Sequence, residues 1–242
     1  MLTIAGVGWG TFNIVDLLAH EERTVTEVVD AAGVSIIDID NSDGRVVITG
    51  SGTDEITIVA RVSDGLRATG HSFRRVDDRL EIRGTCPLLG SMWCAVDYRI
   101  EVPADIDLDI DVDDDRVEVL DVRGEVTVDN DNGSIRVRGS EGPLNLNADN
   151  GRIEAVDIRS SAISADSDNG SVEIVMATPP QTLEAGSDNG SITVVVPDTT
   201  DAYAVTTSAD NGDVRNDVRT DSRSSRTLIL SSDNGNVTLR YP

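Results

Sequence analysis

The chain has no lysine, and all 20 of its basic residues are arginines. Against 44 acidic residues they leave a net charge of −24, which disfavours nucleic-acid binding because phosphate contacts need a basic face. A polybasic patch for an anionic membrane is excluded for the same reason. Without lysine there is also neither a P-loop nor Schiff-base chemistry.

Histidines and aromatic residues are scarce as well. The two histidines, His20 and His71, have no neighbours that would complete a catalytic triad, so we expect no enzyme activity. A carboxylate pair that cleaves polysaccharide cannot be singled out among 44 acidic residues. Since aromatic residues are only 3% of the chain, the core must be thin and built from Val, Ile, Leu and Ala.

No complete hydrophobic span is present either. Residues 1–19 are uncharged except for Asp16, but they lack a basic start and fall just short of the roughly 20 residues that cross a membrane. Two interpretations stay open: an anchor whose basic start lies upstream of Met1, or an amphipathic helix that caps the end of the repeat stack. We favour the anchor, and we expect an N-terminal segment at 1–23 and a repeat domain at 24–242.

Only two cysteines occur, Cys86 and Cys94, on either side of a short loop. We expect a disulfide, which implies an oxidising, extracytoplasmic location. A metal site is disfavoured because there is no second cysteine pair and no nearby histidine. The apolar loop 88–93 is expected to pack as a flap, with an exposed apolar knob as the alternative.

What the chain does have is a repeat. The triplet Asp-Asn-Gly occurs six times, with glycines 18, 19, 20, 22 and 23 residues apart, a period typical of repeat architectures. The triplets are Asp131-Asn132-Gly133, Asp149-Asn150-Gly151, Asp168-Asn169-Gly170, Asp188-Asn189-Gly190, Asp210-Asn211-Gly212 and Asp233-Asn234-Gly235.

Aliphatic residues hold fixed positions around every triplet, seven residues before the glycine and two after it. Such alternation on both sides of a turn indicates strand, turn and strand with one buried face. We expect Asn-Gly to supply the positive φ values of a tight turn. Asn216 interrupts the inward-facing set, so its repeat should be distorted or near an edge. The register continues around Asp115 and Gly44, and more weakly at 76–84, so the repeat begins near residue 34.

The repeat length sets the fold. About 18–23 residues fit two or three short strands, and such strands must stack because none buries its apolar face alone. We therefore predict an all-β chain that forms a single-stranded right-handed β-helix, or β-solenoid, with a short N-terminal apolar helix. The alternative is an antiparallel β-sandwich in which each Asn-Gly closes a hairpin.

Stacking would align the triplets into columns. We interpret the columns as structural, because Asp and Asn side chains bond turn backbone and Asn ladders link repeats. Calcium is the alternative, since a hard cation would relieve the repulsion between stacked carboxylates, although the β-roll nonapeptide is absent. We thus expect no cofactor and keep calcium as a hypothesis. Its candidate ligands are Asp131, Asp149, Asp168, Asp188, Asp210 and Asp233.

The growing period must be absorbed at the corner opposite the triplets, since both flanks of each triplet keep register. Variable loops on one side of a repeat protein often bind ligands, but we favour neutral drift as the explanation of their lengths. The last of these loops carries Arg219, Arg223 and Arg226, which either meet an anionic polymer or neutralise nearby aspartates.

The repeats resemble the putative-adhesin β-strand-repeat family of bacterial envelope proteins. The resemblance spans about residues 25–242 and is carried by "DNDNGSIRVRG", "NADNGRIEAV", "DSDNGSVEIV", "GSDNGSITVVVP", "SSDNGNVTLRYP" and "YRIEVPADIDLDI". It implies a protein tied to the cell envelope, often behind one N-terminal membrane helix, with no established catalytic residues.

We therefore expect a non-catalytic envelope β-solenoid that presents a repetitive surface for adhesion, scaffolding or binding. One alternative is an envelope-stress regulatory or sensing module, and a second is a polysaccharide-active β-helix enzyme. The expected partner is an envelope protein or polysaccharide and not a nucleic acid, with membrane contact only through the N-terminal segment.

Overall fold

The computed structural model describes residues 21–64, 68–87 and 94–242, and within these ranges it is all-β with no helix. No described helix could therefore cross a membrane. The helix or anchor predicted within residues 1–19 and the flap predicted at 88–93 lie outside the described residues. The strands are β1 (Glu21–Asp30), β2 (Ile36–Asn41), β3 (Val46–Ser51), β4 (Glu55–Asp64), β5 (Gly70–Val76), β6 (Arg79–Thr85), β7 (Ala95–Pro103), β8 (Asp107–Asp114), β9 (Val117–Leu120), β10 (Val126–Asn132), β11 (Ile135–Arg138), β12 (Leu144–Ala148), β13 (Ile153–Ile158), β14 (Ala162–Ser167), β15 (Val172–Met176), β16 (Thr182–Ser187), β17 (Ile192–Val195), β18 (Ala204–Ala209), β19 (Val214–Asn216), β20 (Thr227–Ser232) and β21 (Val237–Arg240).

The strands form two sheets. Sheet 1 has 11 strands in the order β1-β4-β7-β3-β9-β11-β13-β15-β17-β21-β19, and sheet 2 has 10 in the order β18-β20-β16-β14-β12-β10-β8-β2-β6-β5. From β8 onward the chain alternates between the sheets, and every strand pairs in parallel with strands of neighbouring repeats. Val126, for example, lies opposite both Leu108 and Leu144. Each triplet turn thus joins strands of different sheets, so the hairpin alternative is wrong for these repeats.

The core lies between the two sheets. Inward residues alternate with outward ones along each strand, and they form one apolar cluster from Val34 to Leu239. Apart from Tyr98 and Tyr203, the largest fully buried side chains are Ile and Leu. The core is as thin and aliphatic as the composition predicted, because paired strands from two sheets need only short branched side chains to fill the space between them.

The upstream repeats join the same stack. Strand β2 lies between β6 and β8, and Ile39 faces Ile82 on one side and Ile110 on the other. This end is closed by antiparallel strands, with β1 and β4 beyond β7 in sheet 1 and β5 beyond β6 in sheet 2. Both sheets are therefore mixed.

The other end departs from sequence order. The last repeat, β20 and β21, inserts between the β16–β17 repeat and the β18–β19 repeat, which becomes the outer edge. Asn216 lies on that edge, as its polar side chain predicted. In this repeat Thr207 pairs with Leu230 and Asn216 with Leu239, so the polar residues cover the apolar ones. A repeat with a polar outer side belongs at the end of a stack, because burying it would leave polar groups without partners.

Candidate functional site

At the triplet turn, hereafter the triplet corner, the backbones of successive repeats approach one another closely. A Cβ built on Gly151 would lie 1.5 Å from the carbonyl oxygen of Gly133. The other five triplet glycines have the same obstruction at 1.6–2.1 Å. None of the six has a positive φ, so the expectation that Asn-Gly supplies one is wrong. Glycine is required here because a neighbouring carbonyl occupies the space of a side chain.

The asparagines of this corner form a continuous amide ladder. From the second asparagine of the ladder onward, each Nδ2 donates to the Oδ1 of the asparagine in the preceding repeat of the stack at 3.0–3.1 Å. The order along the ladder is Asn132, Asn150, Asn169, Asn189, Asn234 and Asn211, which follows the inserted last repeat. The ladder bonds the repeats to one another in addition to the sheet hydrogen bonds.

The aspartates of the triplets contribute mainly through their backbone. The carbonyl of Asp131 accepts a bond from the amide of Asn150 at 2.8 Å, and the pattern recurs along the corner. Carboxylates are nevertheless crowded at this corner. Burial, followed by repulsion from Asp168 and Asp188, raises the pKa of Asp166. Across the described parts of the chain, however, no three acidic, His or Cys side chains are grouped closely enough to hold a metal. Calcium at the six triplet aspartates stays a prediction.

A buried polar column behind the triplets escaped the sequence analysis. It occupies the position three residues before the glycine. Ser167 Oγ donates to the carbonyl of Gly151 at 2.9 Å, and Ser187 and Ser232 repeat this bond one and two repeats further along. The same position holds Asn41 and Asn130 in earlier repeats. The recurring Ser or Asn just before Asp-Asn-Gly was the available signal.

The opposite corner carries the variable loops. The triplet connections from β12 onward are all four residues long, whereas the last two opposite connections reach 196–203 and 217–226, compared with 159–161 earlier. Every predicted arginine of the last loop has an acidic partner: Arg219 with Asp198 at 2.6 Å, Arg223 with Asp221 at 3.5 Å and Arg226 with Asp201 at 3.4 Å. These ion pairs correspond to the second of the two predicted roles, whereas contact of the three arginines with an anionic polymer stays a prediction.

Cys86 and Cys94 form the predicted disulfide. The bridge joins the end of β6 to the start of β7, so it lies at the triplet corner and replaces the triplet turn of that repeat. Cys94 is buried, and Thr69 Oγ1 donates to its sulfur at 3.2 Å. The cross-link therefore holds the antiparallel end of the molecule together.

A groove that the sequence analysis did not anticipate lies on the outer face of sheet 1, near this end. Its volume is about 440 Å³, and strands β3, β4 and β7 supply most of its lining. The charged lining residues are Arg45, Arg61, Arg99, Asp97 and Asp115. They are far apart in sequence, and only the pairing of strands brings them together.

No protein-family model matches this chain, and no curated protein is similar enough to match it. Solved structures do match. They include a putative cell adhesion protein from Clostridium sporogenes ATCC 15579, with 11% identity over 92% of this chain and 100% of that chain and a TM-score of 0.44. Putative adhesins from Bacteroides fragilis NCTC 9343 (15% identity, 91% and 97% covered, TM-score 0.46) and Parabacteroides distasonis ATCC 8503 (11%, 91% and 97%, TM-score 0.34) match as well. Proteins named as putative adhesins are the kind that the sequence resemblance predicted.

Proposed function

We propose that the protein is a non-catalytic β-solenoid of the bacterial cell envelope that binds a surface polymer or protein in adhesion or scaffolding. Alternation between two sheets, with parallel in-register pairing from repeat to repeat, supports the solenoid architecture. We infer that the solenoid is right-handed, because crossover connections between parallel strands are right-handed in nearly all proteins.

The regular spacing of outward side chains carries the proposal. One row crosses sheet 1 from strand to strand through Glu118, Arg136, Glu154, Glu173, Thr193 and Thr238. Neighbours in the row are one strand spacing apart, about 4.8 Å. Arg136 bonds Glu154 at 2.9 Å, and Arg152 pairs with Glu173, so these side chains are held in place. A stiff surface with a short repeat suits a partner that is itself repetitive, such as an envelope polysaccharide.

The disulfide supports the location. A bridge such as Cys86–Cys94 forms and persists in oxidising compartments, so it supports a location outside the cytoplasm. The net charge of −24 favours a soluble, well-hydrated surface. Attachment to the membrane through the N-terminal segment completes the proposal and leaves the repeat domain displayed at the cell surface.

A binding assay with the full chain tests the proposal. Fluorescently labelled protein is incubated with cells of the producing bacterium and with its extracted envelope polysaccharides, and retention is measured against protein concentration. We expect saturable retention without the release of new reducing ends. Absence of retention on cells and polymers alike would refute binding, whereas release of reducing ends would support the enzyme alternative. Altered envelope-stress transcription in a gene deletion, with unchanged cell binding, would support the regulatory alternative.

A further inference from the structure

We infer that the groove formed by Arg45, Arg61 and Arg99 binds a carbohydrate that carries carboxylate groups at low density. The inference rests on the proposed binding function and names the ligand class and the site. It is carried by the placement of the arginines, by their lack of partners and by the groups between them.

Strand pairing gathers the three arginines on one outward face. Arg61 on β4 lies directly opposite Asp97 on β7, and the amide of Arg45 donates to the Asp97 carboxylate at 3.0 Å from the other side. Arg99 is two residues beyond Asp97 on the same face, flanked by Val59. Arg99 therefore lies diagonal to both Arg45 and Arg61, about 7–8 Å from each. Arg45 and Arg61 lie on either side of Asp97, two strand spacings or about 9.6 Å apart.

These guanidinium groups have no partners among the residues that the structure describes. Twelve other arginines of the described chain form ion pairs with carboxylates. In contrast, no ion pair, hydrogen bond or ring contact joins the guanidinium of Arg45, Arg61 or Arg99 to any described residue. In a chain with 44 acidic residues, three adjacent arginines whose donors all remain available are a feature that stability alone does not explain.

The groove offers both kinds of polar group that an acidic sugar needs. A guanidinium matches a carboxylate with two parallel hydrogen bonds. Asp97, Asp115 and the hydroxyl of Thr24 can accept bonds from sugar hydroxyls. Val47 and Val59 place short side chains among the long arginines, which accounts for the depression. Its volume of about 440 Å³ falls within the range of small-ligand sites.

The surroundings select for low charge density. The rim is acidic because Asp43, Asp97, Asp114 and Asp115 lie close together. Burial, followed by repulsion from Asp114, Asp115 and Asp97, raises the pKa of Asp43. A dense polyanion would be repelled by this rim and by the net charge of −24. Isolated carboxylates on an otherwise neutral sugar chain meet the arginines without that penalty, because repulsion beyond about 8 Å is screened at physiological salt.

Calorimetric titration of the full chain with aldotetraouronic acid, a xylotriose that carries a single glucuronic acid residue, tests the inference, with its methyl ester as the neutral probe. We expect the acid to bind and the ester not to bind. Arg99→Gln and Arg61→Gln should each weaken binding about ten- to hundred-fold, the loss typical of a charged hydrogen bond. Arg99→Lys should weaken it less, since it keeps the charge but loses the paired bonds. Arg138→Gln is the matched control. Arg138 lies on sheet 1 outside the groove, is exposed and forms no ion pair with a described residue, so this variant should bind like wild type.

Several outcomes would overturn the inference. One is no binding of the acid at millimolar concentration, and another is equal binding of acid and ester. A third is a loss of affinity in Arg138→Gln as large as that in Arg99→Gln, which would indicate diffuse charge attraction. Equal affinity for acetate would reduce the site to one for small anions and would refute the carbohydrate ligand. If Arg99→Gln binds cells and envelope polymers as tightly as wild type, the groove is refuted while the proposed binding function stands.

Discussion

Replacement of Gly151 by alanine is the most direct test of the stacking geometry. The added Cβ would lie 1.5 Å from the carbonyl oxygen of Gly133, whereas an ordinary contact is about 3.5 Å. The two repeats must therefore separate by about 2 Å at the triplet corner, because both atoms belong to rigid backbone. We expect the Gly151→Ala protein to fold with a clearly lower free energy of unfolding.

The bonds that cross this corner set the magnitude. The amide of Asn150 donates to Asp131 at 2.8 Å, and its side chain donates to Asn132 at 3.1 Å. A separation of about 2 Å breaks both bonds, at about 0.5–1.5 kcal/mol each. Local overpacking adds about 1–3 kcal/mol. The expected loss is thus about 2–6 kcal/mol, which for a domain of this size corresponds to a fall in Tm of about 4–24 °C.

Urea unfolding followed by circular dichroism, with the disulfide intact, measures this loss. Gly52→Ala is the matched control: a Cβ there meets no atom within 4 Å, and its φ lies outside the left-handed region. We expect the control to stay within about 0.5 kcal/mol of wild type. If Gly151→Ala is no less stable than Gly52→Ala, the close approach of repeats is not what requires glycine, and the account of the triplet corner is refuted.

Four further predictions concern stability. Cys86→Ser should lower the free energy of unfolding by about 2.5 kcal/mol, measured by urea titration, because it opens a short cross-linked loop; no change would show that the bridge does not constrain the unfolded chain. Asn169→Ala interrupts the amide ladder in its middle and should lower the free energy of unfolding by about 1–2 kcal/mol in the same assay. No loss would show that the ladder does not contribute to stability. Burial and neighbouring aspartates raise the pKa of Asp111, so the charge on Asp111 destabilises the folded protein, and this effect is lost as pH falls from neutral through the raised pKa. The Arg83 guanidinium lowers the pKa of Asp38, so the charge on Asp38 stabilises the folded protein, and this effect is lost only as pH falls below the ordinary value of 3.8. Stability should therefore peak in mild acid, and a steady decline from about pH 7 to 4 in unfolding experiments would contradict this. Addition of EDTA should leave Tm unchanged, while a fall of several degrees would show that calcium occupies the aspartate column.

Local patterns in the sequence predicted the strands and their corners. Alternating aliphatic residues such as Ile135 and Val137 are buried as expected, because a strand exposes alternate side chains whatever it pairs with. The repeat period located both corners, because residues on either side of each triplet keep a constant spacing and any added residues must lie at the opposite corner. Two cysteines at a short separation were sufficient to predict the disulfide, since so short a loop brings them together in nearly any fold.

The tertiary structure alone decided how the repeats are ordered and what lies between them. Insertion of β20 and β21 ahead of β18 and β19 depends on pairing between distant segments, which no local pattern encodes. The reason for glycine in the triplets is likewise a contact with another repeat, not a property of the turn itself. The grouping of Arg45, Arg61 and Arg99 follows from three strands that meet across as many as 54 residues of chain, from position 45 to position 99. Periodicity determines which face each side chain occupies, but the pairing of strands determines which side chains become neighbours, and the candidate site is made of such neighbours.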